Sequence, residues 1–121
     1  MEFVKMQGAG NDFIVLDHFN DQPQVDYSLL ARKLCHRNFG VGGDGLVVVL
    51  PSNKADARMR IFNADGSEPE MCGNGIRCFA RYVYDAGYVR RNPMNVETLA
   101  GVLTLELRLK GEKVEGIQVD M

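Results

Sequence analysis

The chain has 121 residues, of which 45% are hydrophobic and 25% are charged, and its net charge at pH 7 is −2. This composition is typical of one globular domain with a modest core and excludes a disordered chain. Acidic and basic residues are mixed along the sequence, so no basic patch predicts binding to nucleic acid or a membrane. The N-terminus lacks the pattern of a signal peptide, and the cytoplasm is therefore the expected compartment.

The first third of the chain predicts two strands followed by a helix. The strands are expected at Phe3–Met6 and Phe13–Asp17, on either side of a glycine-containing loop. Asp26 is a typical N-cap, and helical spacing of apolar residues follows it until Gly40. These apolar residues are Tyr27, Leu30, Ala31, Leu34 and Cys35. Cys35 lies on the apolar stripe and is expected to be part of the core.

The rest of the chain predicts a second helix among further strands. An apolar helical face follows Gly75, and Gly87 is a suitable terminator. The residues of this face are Ile76, Phe79, Ala80, Val83 and Tyr84. A tight turn is expected at Asp65-Gly66. The predicted strands are Leu46–Leu50, Arg58–Asn63, Val96–Leu99, Val102–Leu109 and Val114–Met121.

Cys72 stands immediately before Gly73, Asn74 and Gly75, at the predicted start of the second helix. A thiol acts as a base only as its thiolate, and the positive end of a helix stabilises a thiolate. The unpaired N–H groups at a helix start also bind carboxylates. Glycines at positions 73 and 75 would let a substrate approach the backbone. The pattern therefore predicts a thiolate directed at the α-carbon next to a bound carboxylate.

The other cysteines and the histidines favour structural roles. Cys78 lies six residues after Cys72, about 240° around a helix, and is interpreted as a buried thiol. A redox pair between these two cysteines is the weaker alternative. His18 and His36 are isolated in the sequence, and each is assigned to packing or to a surface hydrogen bond. Because the Cys and His spacing matches no zinc pattern, no metal site is predicted.

Two further glycine-rich segments do not match nucleotide-binding motifs. The segment Gly8-Ala9-Gly10 has no third glycine and precedes a strand, and Gly40–Gly45 has no P-loop lysine. We expect both segments to bring backbone and short polar side chains to one cleft.

Four segments resemble the diaminopimelate epimerase family. In chain order they are "KMQGAGNDF" (Lys5–Phe13), "GVGGDGL" (Gly40–Leu46), "RIFNADGSEPEMCGNGIRCFARY" (Arg60–Tyr82) and "VETLAG" (Val96–Gly101). Related proline racemases carry a comparable cysteine motif, usually with histidine where this chain has Asn74. Some relatives have glutamine at the position of Gly45, so one distal contact to the substrate would be absent here.

The resemblance implies an isomerase that needs no cofactor and interconverts LL- and meso-diaminopimelate in lysine and peptidoglycan-precursor biosynthesis. The implied fold is α/β (α+β), with a curved, mostly antiparallel, barrel-like sheet around a central helix at about residues 74–87. By position, Cys72 would be one of two catalytic cysteines. Gly73 and Asn74 would hold the α-carboxylate, and Asn11 and Asn63 would contact the substrate, largely at its distal end.

Members of this family are about twice as long as this chain. The resemblance therefore implies that residues 1–121 are the N-terminal domain and that a C-terminal domain, absent from this chain, carries the second cysteine. The implied partners are diaminopimelate, that missing half and a second copy in a homodimer, and the isolated chain is expected to have little or no activity. Two alternatives stay open: a proline or hydroxyproline racemase-type isomerase, and a non-catalytic carboxylate-binding half domain.

Overall fold

The computed structural model describes residues 3–8, 10–21, 24–38 and 40–120. Within these residues the chain forms seven strands and two helices. The strands are β1 Phe3–Gly8, β2 Asn11–Asp17, β3 Gly45–Leu50, β4 Ala57–Asn63, β5 Met94–Thr98, β6 Gly101–Lys110 and β7 Lys113–Asp120. The helices are α1 Tyr27–Leu34 and α2 Gly73–Asp85. Neither helix is long and apolar enough to cross a membrane.

The seven strands form one sheet whose spatial order follows the chain from β1 to β7. β2 pairs with β3, and β4 with β5, in parallel. The other neighbouring pairs are antiparallel. Each parallel pair is connected through a helix, as parallel neighbours require. The predicted α+β fold with a mostly antiparallel sheet is confirmed.

The two helices lie on opposite faces of the sheet. The two crossovers, β2-α1-β3 and β4-α2-β5, proceed in the same direction across the sheet, but β4 is antiparallel to β2. Because both crossovers are right-handed, their helices lie on opposite faces. Accordingly, α1 packs on Leu46 and Val48 of β3, whereas α2 packs on Val47 and Val49. Because α2 contacts both outer strands, β1 and β7, the sheet curls around it. The predicted central helix is thus α2, and Gly87 follows its C-cap with a φ of 80°.

The core explains the uninterrupted apolar run of the central strand. All six residues of β3 are buried, since a helix covers each face of the strand. The predicted apolar face of α2 is entirely buried, and Phe79 is its largest fully buried side chain. Of the stripe predicted for the first helix, Tyr27, Ala31 and Cys35 are buried, whereas Leu30 and Leu34 are half-buried. Asp26 is the N-cap of α1, and Cys35 is its C-cap.

The loop predicted between the first two strands is longer than the turn that the structure shows. β1 and β2 stay paired from Phe3↔Leu16 to Gly8↔Asn11. Backbone hydrogen bonding therefore continues through glycine and polar residues that carry no alternating pattern. Gly10 has a φ of 88°, which suits the tight turn, and Ala9 lies outside the described residues. The other predicted strands agree to within two residues, and Met121 also lies outside the described part.

Asp17, at the far end of β2, connects the sheet to α2 and to the segment after it. Its Oδ2 accepts hydrogen bonds from the hydroxyls of Tyr82 (2.7 Å) and Tyr88 (2.6 Å). Its Oδ1 accepts one from the Phe19 N–H (3.1 Å). Partial burial by itself raises the pKa of the Asp17 carboxyl, but the two hydroxyls, the N–H and nearby His18 outweigh burial and lower it from 3.8.

These contacts predict a contribution of Asp17 to stability that depends on pH. A carboxyl whose pKa is lower in the folded state stabilises the fold above its unfolded pKa, and this stabilisation is lost as pH falls through the folded value. The free energy of unfolding in urea should therefore decrease more steeply from about pH 5 to about pH 3 in the wild type than in Asp17→Asn. Asp85→Asn, at an exposed position, should keep the wild-type slope. Equal slopes in the wild type and Asp17→Asn would contradict this assignment.

Candidate functional site

Cys72 is the N-cap of α2, as the sequence predicts. Its backbone is extended (φ −142°, ψ 112°), and its carbonyl oxygen accepts the Ile76 N–H at 2.9 Å. The thiol is free and half-buried. Cys72 makes no side-chain capping hydrogen bond, whereas Asp26 caps α1 by accepting the Leu29 N–H at 3.1 Å. The first N–H groups of α2, uncapped by this side chain, are suited to bind an anion.

Two asparagines that are far apart in sequence meet beside this helix start. The Nδ2 of Asn74 donates a hydrogen bond to the Oδ1 of Asn11 at 2.8 Å. Asn11 is the first residue of β2 and pairs with Gly8 across the β1–β2 turn. A Cβ added at Gly8 would lie 2.9 Å from the Cys78 Sγ and 3.7 Å from the Asn74 carbonyl oxygen. The glycine therefore lets the turn approach α2 closely enough for the asparagines to bond.

Asn63 lies at the end of β4, on the face of the sheet that α2 covers. It is the last residue of β4 and is exposed, and its Nδ2 donates to the Ser67 Oγ at 3.0 Å. Ile61, two residues earlier on the strand, packs on the α2 face, so Asn63 projects from that face as well. The structure thus brings Asn11, Asn74 and the start of α2 together and places Asn63 at the end of β4, on the same face of the sheet.

The two glycines that flank Asn74 differ in their surroundings. Gly73 is exposed, and a Cβ added there would meet nothing within 4 Å. Gly75 is buried, and an added Cβ would overlap the Ile61 Cδ1. The expectation that both glycines admit a substrate is therefore wrong for Gly75, whose missing side chain lets α2 pack on β4. Only Gly73 offers open backbone.

The other two cysteines belong to the core, as predicted. Cys35 and Cys78 are each 3% exposed and lie in the two clusters on opposite faces of the sheet. Burial raises the pKa of both thiols. His18 is buried with its Nδ1 2.6 Å from the Tyr27 hydroxyl, and His36 accepts the Asn38 N–H at the surface. In the part of the chain that the structure describes, no three His, Cys, Asp or Glu residues are placed to hold a metal ion.

The glycine loop before β3 adds a carboxylate, Asp44, that was not among the predicted site residues. Asp44 donates its N–H to the Asp12 carbonyl oxygen at 2.8 Å, and its Oδ2 accepts the Asp12 N–H at 2.7 Å. Its Oδ1 accepts from the Arg37 Nη2 at 3.1 Å. The Asp12 N–H is the main cause of a lowered pKa for Asp44. This hydrogen bond lowers the pKa of Asp44 more than desolvation raises it, and the Asn11 side chain and Arg37 lower it further. The available signal was one acidic residue inside a run of glycines.

The fold defines the class of this domain. A hydroxyproline epimerase from Agrobacterium vitis, with bound trans-4-OH-L-proline, superposes with a TM-score of 0.76 at 16% identity. The match covers 98% of this chain and 40% of that one. A phenazine biosynthesis protein of the PhzF family from Bacillus anthracis gives a TM-score of 0.67 at 24% identity, over 92% of this chain and 38% of that one. The domain therefore has the fold shared by these two proteins.

Sequence similarity identifies the family within this class. The diaminopimelate epimerase family model matches residues 3–121. A diaminopimelate epimerase from Desulfitobacterium hafniense is 70% identical over 100% of this chain and 44% of its own length. Another from Moorella thermoacetica is 57% identical over 100% of this chain and 43% of its own length. The chain belongs to the diaminopimelate epimerase family and spans less than half the length of these relatives.

Proposed function

We propose that residues 1–121 are the N-terminal domain of a cytoplasmic diaminopimelate epimerase. The enzyme would interconvert LL- and meso-diaminopimelate without a cofactor, in lysine and peptidoglycan-precursor biosynthesis, and would act as a homodimer. Membership of the family supports this proposal. The observation that carries it is the free, half-buried thiol of Cys72 at an uncapped helix start, beside the hydrogen-bonded pair of Asn74 and Asn11.

The start of α2 would bind the α-carboxylate of the substrate. The N–H groups of the first helical turn have no partners within the helix, and the helix dipole favours a negative charge there. Gly73 gives the carboxylate open access to the backbone, and Asn74 adds a side-chain donor. A carboxylate held at Gly73 and Asn74 would place the neighbouring α-carbon next to the thiol of Cys72.

Cys72 would then act as the base on one face of the α-carbon. Its thiolate takes the α-proton and becomes a thiol, while the electron pair of the C–H bond remains on the α-carbon and is delocalised into the carboxylate. Inversion requires an acid on the opposite face, which gives its proton to the α-carbon and is left as the anion. Because Cys35 and Cys78 are buried in the core, this acid would come from the C-terminal domain.

Asn11 and Asn63 would contact the distal part of the substrate, which carries its own ammonium and carboxylate groups. The Nδ2 of Asn63 donates to Ser67, and its Oδ1 would accept from the distal ammonium group. Asn11 lies next to Asn74 at the start of α2. Two amides beyond the carboxylate site suit a long substrate with charged groups at both ends better than a small ring.

The test joins this chain to the part of the Desulfitobacterium hafniense epimerase that follows the matched segment. This hybrid protein and the chain alone are incubated with LL-diaminopimelate in D2O, and α-deuteration and the meso product are followed by NMR. We expect exchange and inversion from the hybrid protein and only background from the chain. Equal exchange and inversion from both would show that these 121 residues form a complete site, within one copy or between two, and would contradict the proposal.

Two other substrate experiments separate the alternatives. Turnover of proline or trans-4-hydroxyproline by the hybrid protein, without turnover of diaminopimelate, would favour a racemase of the related type. Binding of diaminopimelate without exchange, unchanged by Cys72→Ser, would indicate a non-catalytic carboxylate-binding domain.

A further inference from the structure

We propose that Asp65 is a positioning residue, which acts through the Ser67 hydroxyl to fix the orientation of the Asn63 amide. In this orientation the amide offers its Oδ1, an acceptor, to a cationic group of a ligand. The identity of that group as the distal ammonium of diaminopimelate rests on the proposed function. The hydrogen-bonded series itself lies within one turn of this chain.

The direction of both hydrogen bonds follows from the chemistry of the three groups. The Ser67 Oγ lies 2.6 Å from the Asp65 Oδ1, and an ionised carboxylate only accepts, so the Ser67 hydroxyl donates. A hydroxyl has a single hydrogen, and the Ser67 Oγ can therefore only accept from Asn63. Asn63 must donate from its Nδ2, at 3.0 Å, which leaves its Oδ1 on the other branch of the amide.

The bond to the carboxylate decides the direction of the whole series. A hydrogen bond to an ionised group is about twice as strong as one between neutral groups. A Ser67 hydroxyl that turned to Asn63 would exchange the stronger bond for a weaker one. The Ser67 hydroxyl and, to a smaller extent, the Ser67 N–H at 2.9 Å hold the pKa of the Asp65 carboxyl below 3.8, so this group is ionised at neutral pH.

The backbone of the turn is held by the rest of the fold. The Asn63 N–H donates to the Ser67 carbonyl oxygen at 2.8 Å, and the Gly66 N–H donates to the Asn63 carbonyl oxygen at 2.9 Å. The carbonyl oxygen of Gly66 accepts the hydroxyl of Ser28 on α1 at 2.6 Å. Gly66 is buried with a φ of 91°, and a Cβ added there would lie 2.8 Å from the Ser28 Oγ. The exposed side chains of the series therefore stand on a fixed backbone.

The fixed amide predicts a preference for a cation in the ligand. The Asn63 oxygen accepts from an ammonium group, whereas a reversed amide would present an NH2 group that cannot accept. Without the Asp65 carboxylate, the Ser67 hydroxyl is free to donate to Asn63, so both orientations become populated. If each orientation holds about half of the molecules, the apparent affinity for the cation falls about twofold.

The first test is the NMR spectrum of the Asn63 side-chain amide in this chain, labelled with 15N at asparagine. We expect Asp65→Ala to shift the Asn63 Nδ2 signals and to speed the exchange of their hydrogens with water. Ser52→Ala is the control, because the Ser52 hydroxyl donates to the Glu97 carboxylate at 2.7 Å in another turn, and it should leave these signals unchanged. Unchanged Asn63 signals in a folded Asp65→Ala protein would overturn the proposal.

Two further variants separate positioning from a structural role in the turn. Ser67→Ala removes the acceptor of the Asn63 Nδ2 but keeps the backbone bonds of the turn, so it should change the Asn63 signals at least as much. This variant decides the question where Asp65→Ala does not fold, and unchanged signals would then overturn the proposal. Asp65→Asn keeps an oxygen that accepts both Ser67 bonds and should hold the Asn63 signals close to those of the wild type.

The second test compares two ligands of the hybrid protein: diaminopimelate, by its KM, and 2-aminopimelate, which lacks the distal ammonium group, by its inhibition constant. Preference for the first ligand should fall about tenfold in Asn63→Ala and about twofold in Asp65→Ala. The double variant should match Asn63→Ala, because Asp65 acts through Asn63. Additive losses in the double variant would contradict positioning. A hybrid protein without epimerase activity, in which the Asn63 signals respond as expected, would count against the proposed function alone.

Discussion

Epimerisation by the hybrid protein should fall about a thousandfold when Cys72 is replaced by serine. An unperturbed thiol has a pKa of about 8.5, so its thiolate is accessible near neutral pH, whereas a serine hydroxyl offers no comparable anion. The N–H groups at the start of α2 remain in Cys72→Ser, because they belong to the backbone. We therefore expect the loss in kcat, with KM changed by no more than about threefold. Steady-state rates with LL-diaminopimelate, together with α-proton exchange in D2O, measure both quantities.

The matched control is Cys35→Ala, in the hydrophobic cluster on the other face of the sheet. This substitution removes a buried thiol and should lower stability while kcat stays close to that of the parent protein at temperatures where both are folded. Undiminished exchange in Cys72→Ser would mean that another group removes the α-proton. An equal loss of kcat in both variants would point to folding and not to chemistry.

Local patterns in the sequence account for most of the fold. The apolar spacing of α2 correctly predicted five buried residues of the face that packs on the sheet, but not the burial of Gly75. The uninterrupted apolar run of β3 indicated a strand that is buried on both faces, and the helices of the two crossovers pack on those faces. The pattern failed at residues 7–12, because the pairing of Gly8 with Asn11 depends on backbone hydrogen bonds and not on side-chain alternation.

Local pattern predicted the candidate site only where its residues are neighbours in sequence, whereas Asn11 and Asn63 were assigned through the family resemblance. Cys72, Gly73 and Asn74 form one local motif whose chemistry can be argued from a helix start. The bond between Asn74 and Asn11 spans 63 residues. It exists because the β1–β2 turn reaches α2, which no local pattern encodes. Asp44 likewise reaches β2 through the parallel pairing of β2 with β3, and this pairing is a property of the whole sheet.

Gly75 shows the same dependence on tertiary packing and leads to the largest expected change in stability. Replacing it by alanine adds a methyl group that overlaps the Ile61 Cδ1, and Ile61 is buried. Overpacking of this kind costs about 1–3 kcal/mol, against a gain of about 1 kcal/mol from replacing glycine in a helix, which leaves a net loss of up to about 2 kcal/mol. We therefore expect Gly75→Ala to lower the free energy of unfolding, as measured by urea titration with circular dichroism.

Gly73→Ala is the matched control for this effect, because the same residue change two positions earlier enters open space. The stability of Gly73→Ala should equal or slightly exceed that of the wild type. Its methyl group lies where the substrate carboxylate is proposed to bind, so KM of the hybrid protein should rise. Equal destabilisation by both substitutions would show that glycine is needed for the backbone of the helix start and not for the contact with Ile61.

A double variant separates the contact from all other causes. Ile61→Val removes the Cδ1 atom and alone should cost about 1 kcal/mol. Combined with Gly75→Ala, it makes room for the new methyl group, so the double variant should be more stable than the sum of the two single losses by about 1 kcal/mol or more.

A Cβ at position 75 would also lie 3.5 Å from the Cys72 Sγ, within ordinary contact. If Ile61 cannot yield, α2 moves and the thiol moves with it. Restored stability with restored kcat in the double variant would therefore show that one packing contact between α2 and β4 positions the thiol of Cys72.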